Sequence, residues 1–215
     1  MTTTEELIDS LSANVRPVRR PRPPMLRCAC WLMFAAVIVA MLAISHGVRP
    51  DLAQRFQEPL FAVRVLAALA TGILAAVATF QISLPDRRGQ WAWLPLPAAA
   101  VWLSTVGYGC LASWVRLNPD GVYLAEVLSC IATLILTSTP LALAMFLMIR
   151  RVGPLRPAPV TLCGALAIAA ITATALSLFH NLDATVLILI WNLGVAALFM
   201  TLGGVFGKKL YGSWA

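Results

Sequence analysis

Hydrophobic positions in this chain fall into six long runs separated by short polar breaks, at residues 28–48, 62–83, 94–112, 123–149, 160–179 and 185–206. Each approaches or exceeds the roughly 18–20 residues that a helix needs to cross a ~30 Å hydrocarbon core. The breaks are short, which favours antiparallel neighbours in an up-and-down arrangement. The pattern predicts an all-α integral membrane protein, a six-helix transmembrane bundle spanning 28–207. The run at 123–149 is the longest, about 40 Å if wholly helical. Arg150 and Arg151 follow it directly, and Glu126 and Cys130 lie near its other end. Pro140, in mid-span, removes one backbone hydrogen bond and is expected to kink the helix.

Residues 1–27 form the one sizeable polar segment. Thr2 or Thr3 followed three positions later by Glu5 or Glu6 is a capping-box pattern. Leu7, Ile8, Leu11 and Val15 then recur at helical spacing and give a narrow apolar stripe. Pro17 ends the stripe. Arg16, Arg19, Arg20, Arg22 and Arg27, interleaved with Pro17, Pro21, Pro23 and Pro24, make a basic, extended tether suited to an anionic lipid surface. We read the segment as a short docking helix on a linker, with Leu7, Ile8, Leu11, Val15 and Arg16 as its partner-binding residues. A short tail, 208–215, closes the chain.

Composition sharpens this picture. Hydrophobic residues make up 60% of the chain and charged residues 12%, against about 25% charged in soluble domains. The net charge of +7 raises nucleic-acid binding as a possibility, but the distribution answers it. Twelve of the 16 Lys and Arg residues lie in the N-terminal segment, near Arg87–Arg88, near Arg150–Arg156 or at Lys208–Lys209. With both termini cytoplasmic, these segments all face inward and the positive-inside rule is obeyed. The charge therefore reports topology, and no direct nucleic-acid contact is needed to explain it. The N-terminus does not read as a cleavable signal, because its charged leader runs to Arg27 and no small-residue cleavage pattern follows.

Candidate chemistry is sparse. The chain contains no HExxH, GxSxG, Walker A or GxGxxG pattern, and two histidines with one intramembrane carboxylate supply little for acid–base work. We expect no enzyme and no required cofactor. Small residues in the second and fifth runs suit close helix approach. Trp91, Trp93, Trp102, Trp114 and Trp214 are expected at the membrane interfaces. The five cysteines form neither a disulfide framework nor a paired zinc motif. Cys28, Cys30 and Cys163 fall at inner helix starts and read as packing residues. Cys110, Cys130, His46 and His180 fall toward the outer ends of their runs. Thiolate and imidazole are donors that soft and transition metals favour, and an exposed thiol is open to oxidation. These four residues are the candidate sensing set, with a soft or transition metal ion as a candidate signal. A small transporter or channel using Glu126, or a packing subunit of a larger complex, is the alternative. Against a transporter, only Pro140 interrupts a run in mid-span and few ionisable groups lie deep.

Taken together, the leader LIDSLSANVRPV, the motifs RPDL, EPLFAVR and TFQISLP, the stretch TPLALAMFLMIRRVGPLRP and the HN…IWNLG region from His180 resemble the NrsF-type membrane anti-sigma factors. The resemblance implies six spans and a cytoplasmic N-terminal segment that holds an extracytoplasmic-function (ECF) sigma factor at the membrane. It also implies that outer-side cysteines sense metal or oxidant stress. Asn181 stands where related proteins carry a second cysteine after the histidine, so Cys130 lacks its usual partner thiol. Pro85-Asp86 and Trp191-Asn192 are lesser departures.

The topology is checked with an impermeant thiol label on intact cells. Arg87→Cys and Arg151→Cys should remain unlabelled from outside, whereas Pro119→Cys and Asn181→Cys should react. Outside labelling at either arginine position would invert the arrangement.

Overall fold

The computed structural model describes residues 4–13, 22–47, 50–84, 86–115, 124–150 and 157–179 together with Gly194 and Ala197. At Leu7, Ser10, Leu11, His46, Pro157 and residues 108–115 and 124–131 it describes the backbone alone. Among these residues the regular elements are all helical: α1 (Thr4–Ala13), α2 (Pro24–His46), α3 (Leu52–Arg55), α4 (Pro59–Ile82), α5 (Leu96–Val115), α6 (Leu124–Arg150) and α7 (Pro157–Phe179). A short 3-10 turn at Gly89–Trp93 precedes α5.

Among the described residues, four segments are long and apolar enough to cross a membrane, namely Pro24–Ser45, Pro59–Ile82, Ala132–Arg150 and Ala158–Phe179. They make this a membrane protein. Helix α5 occupies the predicted third span. The predicted sixth span, 185–206, lies outside the described residues apart from Gly194 and Ala197, and the tail 208–215 lies wholly outside them.

Helix starts follow proline rather than charge. The runs at 28, 62 and 160 begin earlier as helices, at Pro24, Pro59 and Pro157. Proline suits a first helical position because its missing N–H would be unpaired there and its φ is already helical. Arg27 and Arg64 consequently lie inside helices. α6 runs as one helix through Pro140.

The centre of the bundle is the seam between α4 and α7. α4 also packs on α2 and α5, and α6 closes the group against α2 and α7. The seam is built from small side chains: Ala68, Ala75 and Ala76 on α4 cluster with a buried run from Ala167 to Ala173 on α7, and Ala78 clusters with Val160 and Cys163 nearer the start of α7. At Gly72 the two backbones come so close that an added Cβ would lie 2.8 Å from Ile171 Cδ1 and 3.3 Å from the Ile171 backbone nitrogen. Lipid tails offer helices little hydrophobic reason to associate, so close approach through small residues carries the attraction.

Most hydroxyl groups along these helices are satisfied locally, although Thr172 Oγ1 on α7 is buried with no partner among the described residues. Thr71, Thr79 and Thr137 donate to the carbonyls of Ala67, Ala75 and Thr133 at 2.7, 2.7 and 2.6 Å, the back-bonding pattern of Ser and Thr in helices. Large apolar side chains point the other way. Met33, Phe34, Met41 and Ile44 on α2, Leu66 on α4 and Leu143 and Phe146 on α6 are all exposed, as contact with lipid requires.

The tryptophan expectation needs one correction. Trp91 and Trp93 are exposed as interfacial anchors should be, but Trp102 is only 1% exposed and packs with Ala68, Leu134 and Leu176 in the core. Its indole fills the space that the small residues of α4 and α7 leave beside α5. Trp114 has only its backbone described, and Trp214 lies outside the described residues.

The connection from α2 to α4 is ordered by local contacts. Gly47 ends α2 at φ +76°, a conformation that favours glycine, and its N–H meets Ala43 O. Arg55 then lies 3.7 Å from Asp51 and 3.2 Å from Glu58, exposed pairs worth about 0.3–0.5 kcal/mol each. Phe56 meets Phe61 edge-on at 5.4 Å.

Gly72→Val should lower stability by about 1–3 kcal/mol through overpacking of the seam, read as a reduced unfolding temperature in detergent. Gly107→Ala, at a position where an added Cβ meets nothing within 4 Å, should leave it unchanged. Equal behaviour of the two variants would deny the seam its central place.

Candidate functional site

The predicted docking residues divide between described and undescribed positions. Leu7, Ile8 and Leu11 all lie on α1, which carries Glu5 and Glu6 in its first turn, where the helix dipole favours negative charge. Ile8 is 57% exposed. Only the backbone is described at Leu7 and Leu11, while Val15 and Arg16 lie outside the described residues, as do Thr2 and Thr3 of the expected capping box.

The predicted sensing residues are placed through their backbones. His46 is the last residue of α2, Cys110 lies in the second half of α5 and Cys130 in the second turn of α6. Val106 and Leu134 belong to the same core cluster. Cys110 lies four residues after Val106 and Cys130 four residues before Leu134, so the backbone places each about one helical turn from that cluster. The side chains of His46, Cys110 and Cys130, and the whole of His180, lie outside what the structure describes. The other three cysteines are free, with Cys28 and Cys163 buried and Cys30 exposed. Cys28 packs with Trp31 and Phe80, and Cys163 with Ile82 and Val160, as small apolar side chains do.

A defined arrangement of side chains lies at the opposite end, where α2 begins and α4 and α6 finish. A helix leaves its last four carbonyls without intrahelical donors. Arg27, in the first turn of α2, donates from Nη2 to one of these, Met148 O of α6. Its guanidinium carbon stands 5.3 Å from the ring centroid of Phe80, in the last turn of α4. The side chain is 7% exposed, and its Nη1 has no hydrogen-bond partner among the described residues. One turn further along α2, Trp31 is fully buried and its Nε1 donates to Leu141 O of α6 at 3.1 Å. Beside Arg27, Gln81 Nε2 approaches Met25 Sδ at 3.4 Å. Ser83 closes the end of α4 on Phe80 O at 2.8 Å.

Magnitudes identify what this seat does. A charge-assisted hydrogen bond contributes about 1.5–3 kcal/mol, a cation over a ring about 0.5–2 and a cation at a helix C-terminus about 0.3–1. Removing a guanidinium from water costs several kcal/mol. The terms nearly cancel, so Arg27 contributes position rather than stability. It joins three helices at the point where the tether enters the bundle.

Sequence reasoning missed this because Arg27 was counted with the tether. The signal was present: Arg27 stands three residues after Pro24, a proline suited to a first helical position, with Met25, Leu26 and Cys28 around it. Its partners, a backbone carbonyl and a ring more than fifty positions away, leave no local pattern.

Comparison with known proteins bears on nearly the whole chain, though not on most of α1. The family model described as NrsF, negative regulator of sigma F, matches residues 11–211. The match includes Leu11, Arg27, Cys110, Cys130 and His180, and begins after Leu7 and Ile8. No curated protein and no solved structure matches the chain.

Proposed function

Because the chain belongs to the NrsF family of negative regulators of sigma F, we propose that it is a membrane-bound anti-sigma factor for an ECF-type sigma factor. Its N-terminal segment, residues 1–27, holds the sigma factor at the cytoplasmic face of a bacterial inner membrane. A metal or oxidant signal at the opposite face releases it. The family is regulatory, and the reading needs no catalytic chemistry. The observation that carries it is α1, a helix with acidic residues in its first turn and Ile8 exposed, borne on a basic, proline-rich tether ahead of the first membrane helix. Leu7, Ile8 and Leu11 recur at helical spacing along α1, which would give a partner one apolar stripe to bury.

The reading supplies a mechanism in outline. One helix arrangement presents the docking segment so that it sequesters the sigma factor, and a second does not. A signal shifts the balance only by binding or modifying one arrangement in preference to the other. Cys130, with Cys110, His180 or His46, is the group through which it would do so. Thiol and imidazole donors fit a soft or transition metal, which here is the signal and not a resident cofactor. A lone thiol in apolar surroundings is a poor ligand and a poor redox target, so Cys130 requires one of these neighbours.

Two experiments test these halves separately. Leu7→Asp with Leu11→Asp places charge in the docking stripe, where burial without a partner is costly. Capture of the sigma factor from detergent-solubilised membranes should collapse while the protein still inserts; retention of the partner would end the docking-helix reading. Cys130→Ser should leave resting inhibition intact and abolish the response of a sigma-dependent reporter to added metal or oxidant. Cys110→Ser or His180→Ala should weaken that response, Asn181→Cys should sharpen it, and serine at Cys28, Cys30 or Cys163 should be neutral. A full response from Cys130→Ser would remove the outer-face thiol from the mechanism.

A further inference from the structure

We propose that Arg27 is a positioning residue that couples the tether to α6. While its guanidinium is seated on the last turn of α6, the N-terminal segment leaves the bundle at a fixed point; displacement of α6 unseats it and frees that segment. The proposal rests on the reading that this segment holds the sigma factor.

Of the described tether arginines, Arg22 is exposed and Arg27 buried. The tether is thus gripped at its last basic residue. The grip is made by two helices remote in sequence, through Met148 O of α6, 121 positions away, and the ring of Phe80 on α4. It exists only when α2, α4 and α6 are assembled.

Its two halves differ in what holds them. Phe80 belongs to the helix that Gly72 locks against Ile171 of α7, so the ring is a fixed platform. Met148 O is a single backbone acceptor at the end of α6. The carbonyl moves with its helix, and helix displacements of about 1–2 Å, common in switching proteins, are large beside the narrow range of a hydrogen bond. The Trp31 bond to Leu141 O keeps the next turns of α2 and α6 in step, so α6 cannot shift without disturbing the start of α2.

The chemistry of the seat favours release. Arg27 is met by a carbonyl and a ring face rather than a carboxylate, and one arm of its fork has no hydrogen-bond partner among the described residues. An ion pair in this position would resist opening. A cation held by neutral groups next to the membrane surface exchanges them for water at little net cost. The same helix carries Cys130 in its second turn, so a change at that end of α6 and the seat at the other are joined by one continuous element.

The test uses the full chain in lipid nanodiscs, with hydrogen–deuterium exchange read without the partner and sigma-factor capture read with it. Arg27→Gln removes the charge and the fork; Arg27→Lys retains the charge without the planar fork; Phe80→Leu removes the ring alone. In Arg27→Gln, exchange should rise about two- to threefold both at residues 24–31 and at 145–150, the modest local opening expected of a seat whose energetic terms nearly cancel. It should not change at 165–173 of α7, which reports that the bundle is folded. Arg27→Lys and Phe80→Leu should fall between this variant and the parent. Sigma-factor capture by Arg27→Gln should drop without any signal. Unchanged exchange at 145–150 would overturn the coupling, as would faster exchange with capture at the parental level. Leu7→Asp with Leu11→Asp, which keeps Arg27, is the control in the capture arm. If that variant also retains its partner, the docking-helix reading has failed, and the exchange data alone judge the seat.

Discussion

Close approach of α4 and α7 is the constraint on which the other contacts depend. In lipid, helices gain little from hiding apolar surface, because the tails around them are equally apolar. What draws two helices together is dense contact between atoms, and that requires small side chains along the seam. Alanines, Gly72 and Thr79 supply them on α4, and a run of alanines with Ile171 supplies them on α7. With this pair fixed, α5 packs through Trp102 and α6 crosses α7 near Gly164, where an added Cβ would stand 2.9 Å from Met145 Sδ.

Polar groups are handled in two ways that differ in consequence. Threonine hydroxyls such as those of Thr71 and Thr79 turn back on their own helix and leave the packing free of long-range demands. Trp31 and Arg27 instead reach across to backbone carbonyls of α6. These two side chains make the contact between α2 and α6 specific in register, which alanine packing does not. They also place the polar reach of the bundle at the end where the tether joins it, the region a regulator of a soluble partner has to control.

A physical asymmetry follows for the family's regulatory role. The α4–α7 seam is tight along its length, whereas α6 packs less extensively, on α7 and on α2, and is tied to α2 by directed contacts. Rearrangement through α6 therefore disturbs less packing than rearrangement through α7. The start of α2, where Arg27 sits, lies at the C-terminal end of α6.

Much of this was legible in the chain itself. Runs of about 20 continuous apolar residues, with arginines and lysines between them, determine a helical membrane protein, because in lipid only a helix or a closed barrel satisfies the backbone and barrel strands are about half as long and alternate apolar with polar positions. The small residues of the second and fifth runs announced their close contact, since nothing larger allows it. The apolar stripe of Leu7, Ile8 and Leu11 was visible because helical periodicity is a local property. Only the tertiary structure decided which side of a boundary Arg27 occupies, and that Trp102 is core rather than interface. An arginine before an apolar run and a tryptophan within one are each compatible with solvent, lipid headgroup or core. The choice depends on whether another helix brings a carbonyl, a ring or a row of alanines to meet them. Those partners lie on separate helices and become neighbours only once α4 and α7 have closed.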